Sequence, residues 1–191
     1  RVRLQVKNRH FPTVAEVSAE IDRIKSIAEL QEHEMLRVYY YDAPPAIGTL
    51  TNPIDQTRLD LSQHPQYAQN FGLQQALEML PDFALRSGEM SVDGWALGSA
   101  ALHNLTAGGP RVITARDLVP NITQKGVDLR IGLDIARLSL RQLVRVLVVV
   151  TGDSDMIPAF KFARREGVRV YLDHMGHGVK RDLKAHTDLV L

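Results

Sequence analysis

The chain has 191 residues, of which 45% are apolar and 24% charged, as in an average soluble domain with a sizeable core. A net charge of +1 means that any nucleic-acid partner must be held by a local basic patch, and the lack of cysteine excludes disulfides and cysteine-ligated zinc. Because no apolar run approaches a membrane-spanning length and no signal-peptide pattern opens the sequence, we expect a single cytoplasmic domain over residues 1–191 without a membrane partner.

The amino-terminal elements are predicted from three local patterns. Alternating polar and apolar residues at 1–6 predict a short strand. Thr13 followed by Glu16 has the form of a capping box, so a helix should begin after Thr13 and continue along an apolar face. The β-forming residues 36–41 predict a strand that ends before Pro44.

The middle of the chain, residues 46–109, has weaker periodicity. We find neither internal repeats nor low-complexity segments there. Trp95 is predicted to lie in the core. The remaining expectations are a helix at 71–79, short strands at 83–86 and 89–95, and a turn at 106–110.

The carboxy-terminal part predicts a strand–helix–strand unit. A helix is expected at 125–140, followed by a nearly all-apolar strand at 144–150, which is typical of a central parallel strand covered on both faces. Pro158 and Gly167 bracket the next helix, and residues 168–172 form the next strand. Such a unit implies a right-handed crossover, so the predicted fold is a three-layer α/β/α sandwich with a mainly parallel central sheet.

An acidic segment, TGDSD at residues 151–155, follows the apolar strand. Ligands of open α/β sheets bind at the carboxyl ends of the strands, where this segment lies. Asp153 and Asp155 are two residues apart, and two close carboxylates favour a cation such as Mg²⁺ or Mn²⁺. An alternative of equal weight is that Asp155 caps the following helix and Asp153 ends the strand.

A second group of charged residues lies near the start of the predicted helix at 125–140. Asp128 shares a side with Ile131 and Ile135, so we expect it on the core-facing stripe, where a carboxylate needs a charged partner or a metal. Asp134 lies roughly 240° further round, which favours a solvated or salt-bridged surface acid over a direct ligand. Lys125 is either a phosphate contact or an ordinary surface residue.

Taken together, the motifs resemble the signature of NYN-domain proteins. The resemblance extends in order from residue 36 to residue 191. Its motifs are YYYDAPP at 39–45, QKGVD at 124–128, GLDIA at 132–136, TGDSD at 151–155 with Pro158, ARREGV at 163–168, and Leu183 with HTD at 186–188.

This resemblance implies a PIN-like nuclease, in which an acidic pocket binds Mg²⁺ or Mn²⁺ and RNA phosphodiester bonds are hydrolysed. Asp128, Asp153 and Asp155 would be the catalytic and metal-site acids. The supporting candidates would be Thr151, Ser154, Asp134 and Lys125. We expect the three acids to converge on a common point, compatible with one ion or with two about 3.5–4 Å apart.

The sequence departs from the family pattern at the first strand, which in the family ends in an Asp that ligates the metal. Either that strand is absent from this sequence, or residues 1–6 are that strand and Lys7 occupies the ligand's position. The second case would describe a degenerate nuclease. The alternative function is therefore a catalytically degenerate RNA-binding or regulatory module of the same fold.

Basic residues outnumber acidic ones by seven to three over residues 160–185. Such a surplus suits a phosphate backbone, although helix faces are often basic for solubility alone. We expect single-stranded RNA to be bound by Lys161, Arg164, Arg165 and Lys180. One of the three tyrosines at 39–41 offers a base-stacking ring, while alternation places at least one of them in the core. Homo-oligomerisation is left open.

Two further interpretations were considered. Asp173, His174 and His177 form an Asp-His-x-x-His pattern, but this spacing is a weak zinc signal and a loop or substrate-groove role is favoured. A phosphatase-like enzyme would use Asp153 as nucleophile and Asp155 as general acid. In such enzymes the Asp-x-Asp pair follows the first core strand, so its late position in this chain disfavours that class.

Overall fold

The structure is a computed structural model that describes residues 8–191. The strand predicted at residues 1–6 and the position of Lys7 lie outside the described residues. The helices are α1 (Val14–Lys25), α2 (Pro65–Glu78), α3 (Ser99–Gly108), α4 (Val127–Leu140), α5 (Ile157–Arg165) and α6 (Arg181–Ala185). The strands are β1 (Val38–Asp42), β2 (Thr49–Thr51), β3 (Arg58–Asp60), β4 (Phe83–Ser87), β5 (Glu89–Leu97), β6 (Leu118–Lys125), β7 (Val146–Val150), β8 (Arg169–Asp173) and β9 (Leu189–Val190). Short 3-10 turns are formed by Ala28–Leu30, Leu61–Gln63, Ala115–Asp117 and Ser154–Met156.

The capping box predicted at the start of α1 is present. The Glu16 backbone N–H donates to the Thr13 hydroxyl at 3.3 Å, and the Thr13 N–H donates to the Glu16 carboxylate at 2.8 Å. These reciprocal bonds satisfy backbone donors that a helix start leaves unpaired, which is why a four-residue pattern located the helix correctly.

The described strands form four separate hydrogen-bonded groups. β1 and β4 are parallel, β7, β8 and β9 form a parallel sheet in that order, and β2–β3 and β5–β6 are antiparallel pairs. The fold is therefore mixed α/β with small parallel sheets. The single central sheet of the predicted sandwich is not seen among residues 8–191.

The prediction that β7 is a central strand is wrong for the described sheet. β7 pairs only with β8 there, and it is β8 that lies between two strands, with every residue after Arg169 buried. Val150, the last residue of β7, is 44% exposed. An apolar run reports that the faces of a strand are covered, but it carries no information about how many neighbouring strands pair with it.

Three predictions for the middle of the chain need correction. The turn expected at 106–110 begins too early, because α3 continues to Gly108. Trp95 is only partly buried, and its indole N–H donates to the Thr51 carbonyl at 2.9 Å, so it is not a core residue. Lys125 ends β6 rather than beginning a helix, since Gly126 adopts a left-handed conformation with φ of 76° and reverses the chain before α4.

The main hydrophobic core lies between α4, α5 and β8. Phe160, Val170 and Leu172 are fully buried in it, and Ile135 and Met156 pack against them. Met156 belongs to the 3-10 turn Ser154–Met156, which includes the last two residues of the acidic segment, so the core directly supports that segment. None of the helices in residues 8–191 combines the length and apolarity needed to cross a membrane.

Candidate functional site

Residues 151–155, called the acidic loop below, have an ordered backbone at the carboxyl end of β7. The Asp153 N–H donates to the Thr151 hydroxyl at 3.1 Å, and the Asp155 N–H donates to Oδ1 of Asp153 at 2.9 Å. Asp153 is thereby the N-cap of the Ser154–Met156 turn. The interpretation that Asp155 caps the following helix is wrong, because Met156 is the N-cap of α5 and no side chain caps that helix.

The acidic loop also keeps uncommitted negative charge. Asp153 and Asp155 are both exposed. Within residues 8–191, the second oxygen of Asp153 and the carboxylate of Asp155 have no hydrogen-bond or ion-pair partner. These oxygens are free to accept a cation or a hydrogen-bond donor.

Lys180 brings a positive charge to the acidic loop. It immediately precedes α6, which packs against the Ser154–Met156 turn. Its Nζ donates to the Ser154 hydroxyl at 3.3 Å. Among the four cations predicted to bind RNA, Lys180 is the one that contacts this loop within the described residues.

Asp128 does not lie on the buried stripe of α4, so that prediction is wrong. Ile131 and Ile135 do pack in the core, as expected, but Asp128 is exposed one turn earlier. The apolar face of α4 extends past the end of the core, and a residue at this first turn meets solvent. Because Asp128 is exposed, its carboxylate does not require a buried counter-charge.

The first turn of α4 nevertheless borders the carboxyl end of β4. Arg130 Nε donates to the Ser87 carbonyl at 2.7 Å. A Cβ at Gly88 would lie 2.6 Å from Val127, so glycine is required for this close approach. Because α4 also packs against the Ser154–Met156 turn, Asp128 lies on a helix that contacts both strand ends.

Asp42 is an acid beside the carboxyl end of β4, and the sequence motifs suggested no role for it. It ends β1, lies opposite Ser87 in the parallel register, and is only 3% exposed. Its Oδ1 accepts the Ala43 N–H at 2.9 Å, and its carbonyl accepts the Gly88 N–H at 2.8 Å. The sequence signal that could have identified Asp42 is its position as a lone carboxylate between a run of β-forming residues and Pro44.

Asp134 is part of a polar cluster away from the acidic loop. The Tyr41 hydroxyl donates to its Oδ2 at 2.9 Å, and Nε of Arg86 lies 3.2 Å from the same oxygen. Burial, followed by this hydrogen bond, raises the pKa of Tyr41 well above its ordinary value. Asp134 is thus salt-bridged, as its position on the helix favoured.

Lys125 lies on the surface of the β5–β6 pair. Its Nζ donates to the Ser91 hydroxyl at 2.9 Å and lies 3.9 Å from Asp93. These contacts orient the ammonium along its own sheet. The structure provides no contact between Lys125 and the acidic loop within the described residues.

Arg164 and Arg165 are separated from the acidic loop by the length of α5, and Lys161 lies near the middle of that helix. The helix begins directly after the Ser154–Met156 turn, and Arg164 and Arg165 lie in its last turn. At 1.5 Å per residue, its far end is about 12 Å from its start. Arg164 and Arg165 therefore lie at the end of α5 remote from the acidic loop, whereas Lys180 contacts that loop. RNA binding by the four cations stays a prediction.

Asp173, at the carboxyl end of β8, is almost fully buried, with 1% exposure. The Arg23 guanidinium donates to its Oδ2, and the Met175 N–H donates to Oδ1 at 2.8 Å. Both oxygens are occupied, so Asp173 holds α1 against the sheet. No group of three or more His, Cys, Asp or Glu side chains is placed to hold a metal ion among residues 8–191.

The acidic loop fits a divalent ion in its donor chemistry. Mg²⁺ is commonly bound by one or two carboxylates, with waters and substrate phosphates as the other ligands. Asp153 and Asp155 offer such oxygens on a backbone that is already ordered by hydrogen bonds. An open site of this kind needs fewer protein ligands than an all-protein cage.

Comparison with known families gives one result for this part of the chain. The model of the NYN domain matches residues 104–189, which include α4, the acidic loop, α5 and α6. No curated protein and no solved structure matched the chain. Residues 104–189, which carry the acidic loop and the helices around it, are therefore similar to the NYN domain, the domain of a PIN-like nuclease family.

Proposed function

We propose that this protein hydrolyses phosphodiester bonds of single-stranded RNA with Mg²⁺ or Mn²⁺ bound at the acidic loop. The observation that carries the proposal is the NYN match over residues 104–189, combined with the free, exposed carboxylates of Asp153 and Asp155 at the end of β7. Asp128, at the exposed first turn of α4, is the third proposed acid.

The first contribution of the chain to the proposed reaction is the ordered backbone of the acidic loop. Thr151 and Asp153 use one oxygen each to hold the backbone, so the remaining Asp153 oxygen keeps a defined direction without further loss of entropy on binding. Asp155 follows on the same turn. We propose that these carboxylates hold the cation and orient the attacking water.

Lys180 and Ser154 complete the proposed site on its basic side. The hydrogen bond from Lys180 to Ser154 keeps the ammonium beside the acidic loop. An ammonium in this place offsets the charge of an approaching phosphate, which two carboxylates alone would repel. A bound divalent ion would supply charge neutralisation at the scissile phosphate and a more acidic water.

A second candidate is a non-catalytic RNA-binding module of the same fold. In-line hydrolysis with two ions requires ligands for both the attacking and the leaving oxygen. The part of the chain that the structure describes contains no cluster of three metal-binding side chains. If residues 1–6 are the family's first strand, Lys7 occupies the position of its metal-binding acid.

Cleavage of end-labelled single-stranded RNA with Mn²⁺ or Mg²⁺, with EDTA as the negative control, distinguishes the two candidates. Asp153→Asn keeps an oxygen that can cap the turn while removing the charge, so it should lower the cleavage rate by more than about tenfold without unfolding the loop. Asp60→Asn is the matched control, because Asp60 caps the Leu61–Gln63 turn by the same contact, to the Ser62 N–H at 2.9 Å.

The outcomes separate clearly. Loss of cleavage in Asp153→Asn but not in Asp60→Asn supports hydrolysis at the acidic loop. RNA binding without EDTA-sensitive cleavage supports the non-catalytic module. Neither binding nor cleavage would contradict both candidates.

A further inference from the structure

A shallow groove of about 400 Å³ lies at the end of α5 remote from the acidic loop. Four cations and one carboxylate line it. They come from three elements of the chain: Lys161, Arg164 and Arg165 from α5, Arg169 from the start of β8, and Asp188 just before β9. The groove therefore carries a net positive charge.

Two of the four cations are held in place. Arg164 Nε lies 3.0 Å from Asp188 Oδ1, and the other oxygen of Asp188 accepts the Val170 N–H at 2.8 Å. The guanidinium of Arg169 lies 5.8 Å from the ring centre of Tyr171. Because only Nε of Arg164 is used, its terminal nitrogens can still donate to a ligand.

The other two cations lack an ion-pair partner within residues 8–191. Lys161 and Arg165 are exposed, and the groove's single acid is engaged by Arg164. Unpaired cations beside oriented guanidiniums are the arrangement that phosphate groups recognise, through charge-assisted hydrogen bonds.

The helix dipole explains only part of this charge. Arg164 and Arg165 lie in the last turn of α5, where cations stabilise the helix by about 0.3–1 kcal/mol. Lys161 lies a turn earlier and Arg169 belongs to a strand, so neither gains from the helix terminus. The helix dipole therefore does not explain why all four cations line one groove.

We propose that this groove is a second phosphate-binding site, which holds the backbone of an RNA strand whose other part lies at the acidic loop. The inference rests on the proposed function and adds substrate length to it. RNA bound at both places runs along α5, over about 12 Å of helix. A dinucleotide has a single internucleotide phosphate, so it cannot occupy the acidic loop and the groove together.

The test uses the full chain with the double substitution Lys161→Glu and Arg165→Glu, leaving the two held arginines intact. The matched control is Arg37→Glu with Arg58→Glu, which reverses two exposed cations outside the groove. Fluorescence anisotropy in EDTA measures binding of labelled RNA of about 16 nucleotides and of a labelled dinucleotide. Melting temperatures of all proteins verify that each variant is folded.

We expect the groove variant to bind the longer RNA at least tenfold more weakly and the control variant to bind it nearly as wild type does. Loss of two phosphate contacts should reduce the slope of log affinity against log salt by about 1.4. Affinity for the dinucleotide, which cannot bridge the two places, should change much less. Polyglutamate should compete for the groove much less well than RNA.

Several results would overturn the second site. Unchanged binding of the longer RNA, or an equal loss in the control variant, would show that only bulk charge matters. Equal competition by polyglutamate would indicate an acidic protein partner. If wild type cleaves RNA and the groove variant binds and cleaves equally well at both lengths, the groove is refuted while the proposed function stands; if wild type neither binds nor cleaves RNA, both fail.

Discussion

The hydroxyl of Tyr41 donates a hydrogen bond to Asp134 at 2.9 Å, and this contact joins β1 to α4. Arg86 on β4 approaches the same carboxylate oxygen, and its guanidinium lies 5.3 Å from the ring centre of Tyr39. The cluster therefore fixes α4 against both strands of the β1–β4 pair. Since α4 also carries Asp128, the position of that acid depends on this contact.

Removing the Tyr41 hydroxyl should destabilise the protein. Tyr41→Phe leaves a partly buried carboxylate with one donor fewer, so we expect the free energy of unfolding to fall by about 1–2 kcal/mol. Urea denaturation measures the difference. Tyr39→Phe is the control, because the Tyr39 hydroxyl makes no hydrogen bond within residues 8–191. Equal losses in the two variants would contradict a specific role for the contact with Asp134.

The same contact predicts alkaline sensitivity. The pKa of Tyr41 is raised in the folded protein, mainly by burial, whereas an unfolded tyrosine ionises near pH 10. The contribution of Tyr41 is thus fully present below about pH 10 and is lost as the pH rises further, because only the unfolded chain releases the proton. Chemical denaturation between pH 8 and pH 11 should show a steeper decline for wild type than for Tyr41→Phe; parallel curves would argue against it.

Binding of Mn²⁺ should raise the melting temperature through the acidic loop. A ligand specific to the folded state stabilises it by about 2.7 kcal/mol at a concentration of 100 times its Kd. Asp153→Asn should diminish this response, while Asp60→Asn, which alters the equivalent cap of another turn, should retain it. Asp134→Asn should also retain the response, since its carboxylate is committed to Tyr41 and Arg86. A full response in Asp153→Asn would move the ion elsewhere.

Lys180 should matter for RNA through its place beside Ser154. Lys180→Met removes the ammonium but keeps an unbranched side chain, so we expect weaker RNA binding at low salt and a salt slope smaller by about 0.7. Lys184→Met is the matched control, because Lys184 lies exposed on the following helix with no side-chain contact to the acidic loop in the described chain. Identical anisotropy titrations for the two variants would refute this role.

The absent first-strand acid can be tested by Lys7→Asp. If residues 1–6 take the place of the family's first strand, the substitution replaces an ammonium by a carboxylate at the ligand position. We then expect Mn²⁺-dependent RNA cleavage to increase, and the increase to disappear when Asp153→Asn is added. Gain of activity with Asn8→Asp but not with Lys7→Asp would place the ligand position one residue later. No gain in either variant would disfavour residues 1–6 as that strand.

Elements whose causes are local could be predicted from the amino-acid sequence. The capping box of Thr13 and Glu16, the bracket of Pro158 and Gly167 around α5, and the acidic loop after β7 all follow from backbone chemistry within a few residues. The family resemblance read from these motifs was confirmed over residues 104–189. Convergence of Asp128 with Asp153 and Asp155 stays a prediction.

Which elements lie side by side, and where each helix leaves the core, depends on contacts between distant parts of the chain. Periodicity indicates which face of an element is covered, but not which strands pair with it. Periodicity therefore does not reveal that β8, rather than β7, is the central strand of its sheet. It also cannot show that Asp128 passes the edge of the core, or that Arg164 lies a helix length from the acidic loop. The contact between Tyr41 and Asp134 joins residues 93 positions apart, and no local pattern encodes such a pair.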